Sequence, residues 1–284
     1  MYLAPASGGM GVLLKTAKYS NLFLRIVSAA IILPVAIALV WLGEWPFTIF
    51  IALLSGIMCV EWARLSLASS KWISLILPIA AACAVLILQF GYGAAAVGLV
   101  VVSAILICGL ARWGAVDDIK LTIFGFLYIS AAGMSLAWLR SIPANGLETV
   151  SCLVGVVIAM DIGAYAVGCT VGGPKMAPKI SPGKTWSGLL GGSICAGGVG
   201  LVAAVISGQS TLFTFAVLGM LLGLAAQAGD LIESALKRRY NAKDSGTLIP
   251  GHGGVLDRLD GFLTVAPLAV LIVWINGGSP FTWT

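Results

Sequence analysis

Long apolar stretches separated by short polar ones set the pattern of this 284-residue chain. Nine runs approach the roughly 20 residues, range about 17–25, that cross a bilayer as a helix. They span residues 26–42, 46–62, 72–90, 93–111, 121–139, 149–169, 186–206, 211–229 and 261–275. The runs are continuous rather than alternating, which predicts helices and not the strands of a barrel. The expected fold is an all-α integral membrane protein, a polytopic bundle of about nine transmembrane helices. N-terminal spans fill residues 1–148, and residues 149–284 carry the remaining spans and two polar loops, 170–185 and 230–260, in one integrated membrane domain.

Composition agrees. Mean hydropathy is +1.05 and charged residues make up 10% of the chain, against about 25% in soluble domains. Positive residues in short loops are retained in the cytoplasm. With the N-terminus inside, Lys15, Lys18, Arg25, Arg64, Lys71, Arg112, Lys120 and every Lys and Arg of the two polar loops fall on one side, and Arg140 alone falls on the other. This predicts an N-in, C-out topology with both loops facing the cytoplasm. The first run ends in WLGEWPF rather than at a small-residue cleavage site, so it reads as a retained span. The net charge of +5 reflects retention and attraction to anionic lipid heads, not nucleic-acid binding. Six scattered cysteines and a single histidine make packing the expected cysteine role and a zinc site improbable.

Against that background, residues 230–260 hold more than a third of the charged residues. Asp230, Glu233, Ser234 and Lys237 follow an i, i+3, i+4, i+7 pattern and share one face if the eighth helix continues. Glu233 and Lys237 also make an ordinary i, i+4 ion pair. Asp257 and Asp260 repeat the two-carboxylate device at the ninth helix start, where acidic residues suit the helix dipole. Antiparallel neighbours would bring the two acidic ends together, a cluster suited to Mg²⁺. Between them, P-G-H-G-G surrounds His252 with Pro250, Gly251, Gly253 and Gly254, a turn whose backbone NH groups can approach an anion. Lys243, Asp244 and Arg258 bracket it.

Asp161 lies inside the sixth run, where an ionisable residue marks either a bond between helices or a functional site. Tyr165, at i+4, shares its face. The other polar loop holds Lys175, Lys179, Ser181 and Lys184 among prolines, read as retention charges or as phosphate ligands. Its G-K-T at 183–185 is no nucleotide P-loop, because Pro178 stands where a glycine is needed and a membrane helix precedes it.

The 27 residues SALKRRYNAKDSGTLIPGHGGVLDRLD, 234–260, resemble the signature of the phosphatidate cytidylyltransferases, or CDP-diacylglycerol synthases. D-I-G-A-Y at 161–165 and K-M-A-P-K-I-S-P-G-K-T at 175–185 are similar to the same family. Position 187 departs from it, with Ser187 where many members carry an acidic or amide residue. The resemblance implies transfer of CMP from CTP to phosphatidic acid in phospholipid biosynthesis, with Mg²⁺ as cofactor. It leaves a second cation and a homodimer open. It implies metal ligands among Asp230, Asp257, Asp260 and Glu233, and catalytic roles for Lys243, Asp244, His252, Arg258 and Asp260. Asp161, Lys175, Lys179, Ser181, Lys184, Ser234, Lys237, Arg238, Gly253 and Gly254 would bind substrate. Two other classes compete: a transporter using Asp161 and Asp230 for a coupling ion, and a CTP-dependent lipid kinase.

Overall fold

A computed structural model describes residues 27–28, 30–66, 71–111, 118–249 and 253–282. Among them, α1 covers Ala30–Leu42, followed by α2 (Glu44–Leu65), α3 (Lys71–Gln89), α4 (Gly93–Ala111), α5 (Ile119–Arg140) and α6 (Gly146–Thr170). A short antiparallel hairpin, β1 (Lys175–Ala177) and β2 (Ser181–Thr185), precedes α7 (Trp186–Ile206), α8 (Leu212–Arg239) and α9 (Leu256–Ile275). Eight helices, α2 to α9, are long and apolar enough to cross a membrane. The protein is thus the polytopic helical membrane protein that the apolar runs predict. Two features lie beyond those runs. Helix α8 continues ten residues past position 229, carrying the charged stripe with it, and the proline-containing loop folds into the hairpin rather than an irregular turn.

Local chemistry explains the helix boundaries. Gly43 at φ +65° and Glu44 at φ +42° reverse the chain between α1 and α2. The Arg140 guanidinium donates to Val40 O at 2.7 Å and Trp41 O at 3.1 Å, satisfying carbonyls at the end of α1. Asp118 caps α5 by accepting from Leu121 N, and Thr185 caps α7 by accepting from Gly188 N.

Glycines bring α6, α7 and α8 into backbone contact. A Cβ on Gly192 would stand 2.7 Å from Met160 O, and one on Gly200 would stand 2.1 Å from Phe215 O. Without a hydrophobic force between helices in lipid, such close contact is the main source of association. Apolar side chains build two larger cores. Trp62, Leu77, Ile107 and Phe126 fill one, and Phe47, Leu139 and Leu153 the other. Helix α9 contributes Leu256 and Leu263 to the first core and Val265 and Ala269 to the second, so it ties the first half of the chain to the last. Large apolar residues such as Ile162, Leu190, Ile206 and Phe213 remain exposed on the outside, as a lipid solvent allows.

The chain alternates between two faces. One carries the hairpin, the C-terminal ends of α2 and α8, and the start of α9; Arg239 ties the start of α5 to it through Asp118 at 2.9 Å. Arg140 and the Thr149–Ser279 contact lie at the other.

Candidate functional site

The charged ends of α8 and α9 meet. A Cβ on Gly229 would lie 2.6 Å from Asp260 O, so the backbones touch at the membrane-side end of the acidic stripe. Because the helices are antiparallel, Asp230 faces the Asp260 turn and Glu233 faces the Asp257 turn.

The outer pair is closed. Lys237 Nζ lies 2.5 Å from Glu233 Oε2 and 2.7 Å from Asp257 Oδ1. Asp257 also accepts from Ser245 N at both oxygens, at 3.0 and 2.9 Å, and from Gly254 N at 2.8 Å. Three donors, one of them shared between both oxygens, thus surround the carboxylate. The stripe expected on α8 therefore resolves into two units, with Glu233 and Lys237 facing inward and Ser234 donating to Asp230 at 3.2 Å.

The inner set is open. Asp260 lies within electrostatic reach of Asp230 and Asp161, and Asp161 within reach of Lys184 and Arg258. Lys184 reaches from β2 to Asp230 Oδ2 at 2.6 Å. Asp161 is exposed on α6, so this set opens sideways from the bundle. Tyr165, its i+4 neighbour, makes no hydrogen bond to it: the ring is 76% exposed and extends outward past the shorter carboxylate.

Hairpin residues hold this side in place. Ser187 Oγ donates to Gly172 O and pairs with Thr185 Oγ1, closing the hairpin base. Arg238 donates to Ile180 O at 3.3 Å and Ala242 O at 3.1 Å, so it clamps the hairpin tip to the segment after α8. Lys175 and Lys179 stay exposed on the hairpin, with Ser181 half-buried at the start of β2. Lys243, Asp244 and Arg258 are exposed around the same face. His252, Pro250 and Gly251 lie outside the described residues.

Glu61 is the residue that sequence reasoning missed. This α2 side chain is 3% exposed and accepts from Val255 N at 3.0 Å, Leu256 N at 2.8 Å and Ser245 Oγ at 3.2 Å. Its signal was a charge one residue inside the end of the 46–62 run. Together with Asp257 it changes the reading of the glycine turn. The NH groups of Gly254, Val255 and Leu256, expected to approach a phosphate, already donate to protein carboxylates.

The donor set suits a hard cation. Asp161, Asp230 and Asp260 offer only oxygen, and an ammonium already sits on Asp230. Among the described residues no three His, Cys, Asp or Glu side chains gather closely enough to hold a metal by themselves. Mg²⁺ does not need that: it is usually held by one or two carboxylates and completed by substrate phosphates and water.

Residues 23–276 match the model of the cytidylyltransferase family. The chain is 38% identical over 259 residues to the phosphatidate cytidylyltransferase of Brucella suis, covering 89% of this chain and 93% of that protein. It is 38% identical over 157 residues to that of Mycobacterium bovis, 55% of this chain and 51% of the relative. With that of Mycobacterium leprae it shares 41% over 135 residues, 48% of this chain and 43% of the relative.

Proposed function

The chain belongs to the cytidylyltransferase family, and on that premise we propose how its open carboxylate set transfers CMP from CTP to phosphatidic acid, giving CDP-diacylglycerol and pyrophosphate. The observation that carries the reaction is the match to a phosphatidate cytidylyltransferase along 93% of that relative's length.

The lipid phosphate is the nucleophile. One of its oxygens bonds to the α-phosphorus of CTP as the bond between that phosphorus and the bridging oxygen to the β-phosphate breaks, and the electron pair leaves with pyrophosphate. A phosphate monoester is largely ionised near neutral pH, since its second pKa is about 6, so the step requires no general base. His252 has no necessary proton to remove. What the protein must supply is orientation and compensation of charge. Lys184, Arg258 and Lys243 neutralise triphosphate oxygens, with Lys175 and Lys179 on the hairpin beside them. Arg238 acts by clamping the hairpin. Asp230 and Asp260, with Asp161 at the side, would hold Mg²⁺, which supplies Lewis-acid stabilisation of phosphate charge when bound. Asp257 is assigned to support, because Lys237, Ser245 N and Gly254 N already hold it.

The exposure of Asp161 on the side of α6 supports a lateral approach, in which acyl chains stay in lipid while the head reacts. Among the described residues every Lys and Arg except Arg140 belongs to the hairpin face or the loops and helix ends beside it. That bias supports a cytoplasmic site in a bacterial inner membrane.

Product analysis tests the proposal. Purified protein given CTP, phosphatidic acid and Mg²⁺ is expected to release pyrophosphate and place CMP on the lipid, and to stop when a chelator is added. Release of CDP would identify a kinase. Turnover of neither substrate would leave the transporter reading.

A further inference from the structure

We infer that Glu61, on α2 and far from the reacting groups in sequence, is a positioning residue that sets the rotation of α9 and thereby aims Asp260 at Asp230. The inference rests on the reading of Asp230 and Asp260 as the cation-binding pair.

The start of α9 lacks a cap of its own. Its N-cap residue is Val255, whose side chain can accept nothing, so the first NH groups need an acceptor from elsewhere. Glu61 supplies it across 195 positions of chain: Oε1 accepts from Val255 N, and Oε2 from Leu256 N and Ser245 Oγ. A carboxylate also complements the positive end of the helix dipole. The fit is tight. A Cβ on Gly254 would stand 2.7 Å from Glu61 Oε2, and one on Gly246 would stand 2.8 Å from Oε1. Two glycines from two segments therefore close around this one carboxylate.

Holding two successive NH groups fixes both the height and the azimuth of a helix. Each residue turns about 100° around the axis. A slip of one position would carry Asp260, one turn further along, away from the α8 side. Asp257 and Lys237 resist the same slip from the opposite flank, but they join α9 to α8 only. Glu61 anchors α9 to α2, a helix of the first core. It touches neither nucleotide nor lipid in the proposed reaction and acts through Asp260.

The test is Glu61→Gln in the full chain, with two readouts. One is the Mg²⁺ concentration that half-saturates activity. The other is the Mg²⁺ concentration that half-saturates the ion's own thermal stabilisation of the protein, measured with CTP present. Glutamine keeps the shape but turns an NH₂ toward donors. The expected result is a rise of about 10-fold or more in both concentrations, the range seen when groups behind metal ligands are changed. In a double-mutant cycle, Glu61→Gln is expected to add little to Asp260→Asn, because both remove the same alignment. Leu153→Ala, in the second apolar core, lowers stability without moving either Mg²⁺ concentration. Should Glu61→Gln not fold, Ser245→Ala removes one of the three donations and is expected to move both concentrations the same way, by about threefold. Unchanged Mg²⁺ dependence in folded Glu61→Gln or Ser245→Ala, or an additive cycle, overturns the inference. A wild type that transfers no CMP but shows the Glu61-dependent thermal response to Mg²⁺ would overturn the reaction and sustain the positioning role.

Discussion

Helices α8 and α9 each carry two carboxylates three residues apart, about 4.5 Å of rise, and the antiparallel crossing matches them into two pairs with opposite fates. The outer pair, Glu233 and Asp257, is bridged by Lys237 from the same helix end, and Asp257 is filled by backbone donors besides. The inner pair, Asp230 and Asp260, is held differently: Lys184 from the hairpin and Ser234 rest on Asp230, and Asp260 accepts from Gly261 N. The same functional groups at the same spacing thus serve two ends. Where one lysine bridges two carboxylates the helices are locked together, and where Lys184 rests on Asp230 alone the proposed reaction has the pair take up a cation and phosphates from solution.

The sharpest way to break this comparison is to remove the outer bridge. Lys237→Met leaves Glu233 and Asp257, with side chains 2% and 5% exposed, facing each other with no cation between them. Breaking a buried pair from one side costs about 3–5 kcal/mol. Thermal unfolding in detergent is expected to show a large loss of stability, with activity falling in step with folded protein. A variant as stable as wild type would mean that the outer pair is not the lock described.

The inner pair is expected to answer in the other way. Asp260→Asn removes a negative charge from a crowded set, so stability should hold or improve slightly while kcat falls by about 10²–10³, the scale of losing one well-placed electrostatic group. Pyrophosphate release and unfolding temperature, measured on one preparation, check both halves. Equal turnover in the variant would remove Asp260 from the cation site.

Much of this was legible in the chain. The spans at 93–111 and 186–206 coincide with α4 and α7, because an apolar run long enough for a bilayer has few alternatives to a helix. The clustering of acidic helix ends was legible too, since antiparallel neighbours would bring residue 230 near 257 or 260. The division of labour was not. Which donors Asp257 accepts depends on where Ser245 N and Gly254 N point, which a loop fixes only in three dimensions. Glu61 was harder still: its partners are nearly two hundred residues away, and its run reads as an ordinary span. The hairpin likewise follows from pairing of Lys175 with Thr185, a register that composition does not encode.

The mildest expected effect sharpens the comparison by holding the helix constant and changing only burial. Arg239 sits two residues beyond Lys237 and also pairs with an aspartate, Asp118, at 2.9 Å. Its side chain is 64% exposed, against 12% for Lys237. Water screens the Arg239–Asp118 pair and the long side chain loses rotamer freedom in making it, so such contacts contribute about 0.2–1 kcal/mol. Arg239→Ala is therefore expected to lower the unfolding temperature only slightly, by an amount that vanishes near 1 M salt, where the Debye length falls to about 3 Å. Activity should be unchanged, because Asp118 keeps its capping bond to Leu121 N and α5 keeps its start. If Arg239→Ala cost as much stability as Lys237→Met, burial would not be what separates them. The lock would then have to be sought in the end of α8 as a whole, rather than in the shielded triad of Glu233, Lys237 and Asp257.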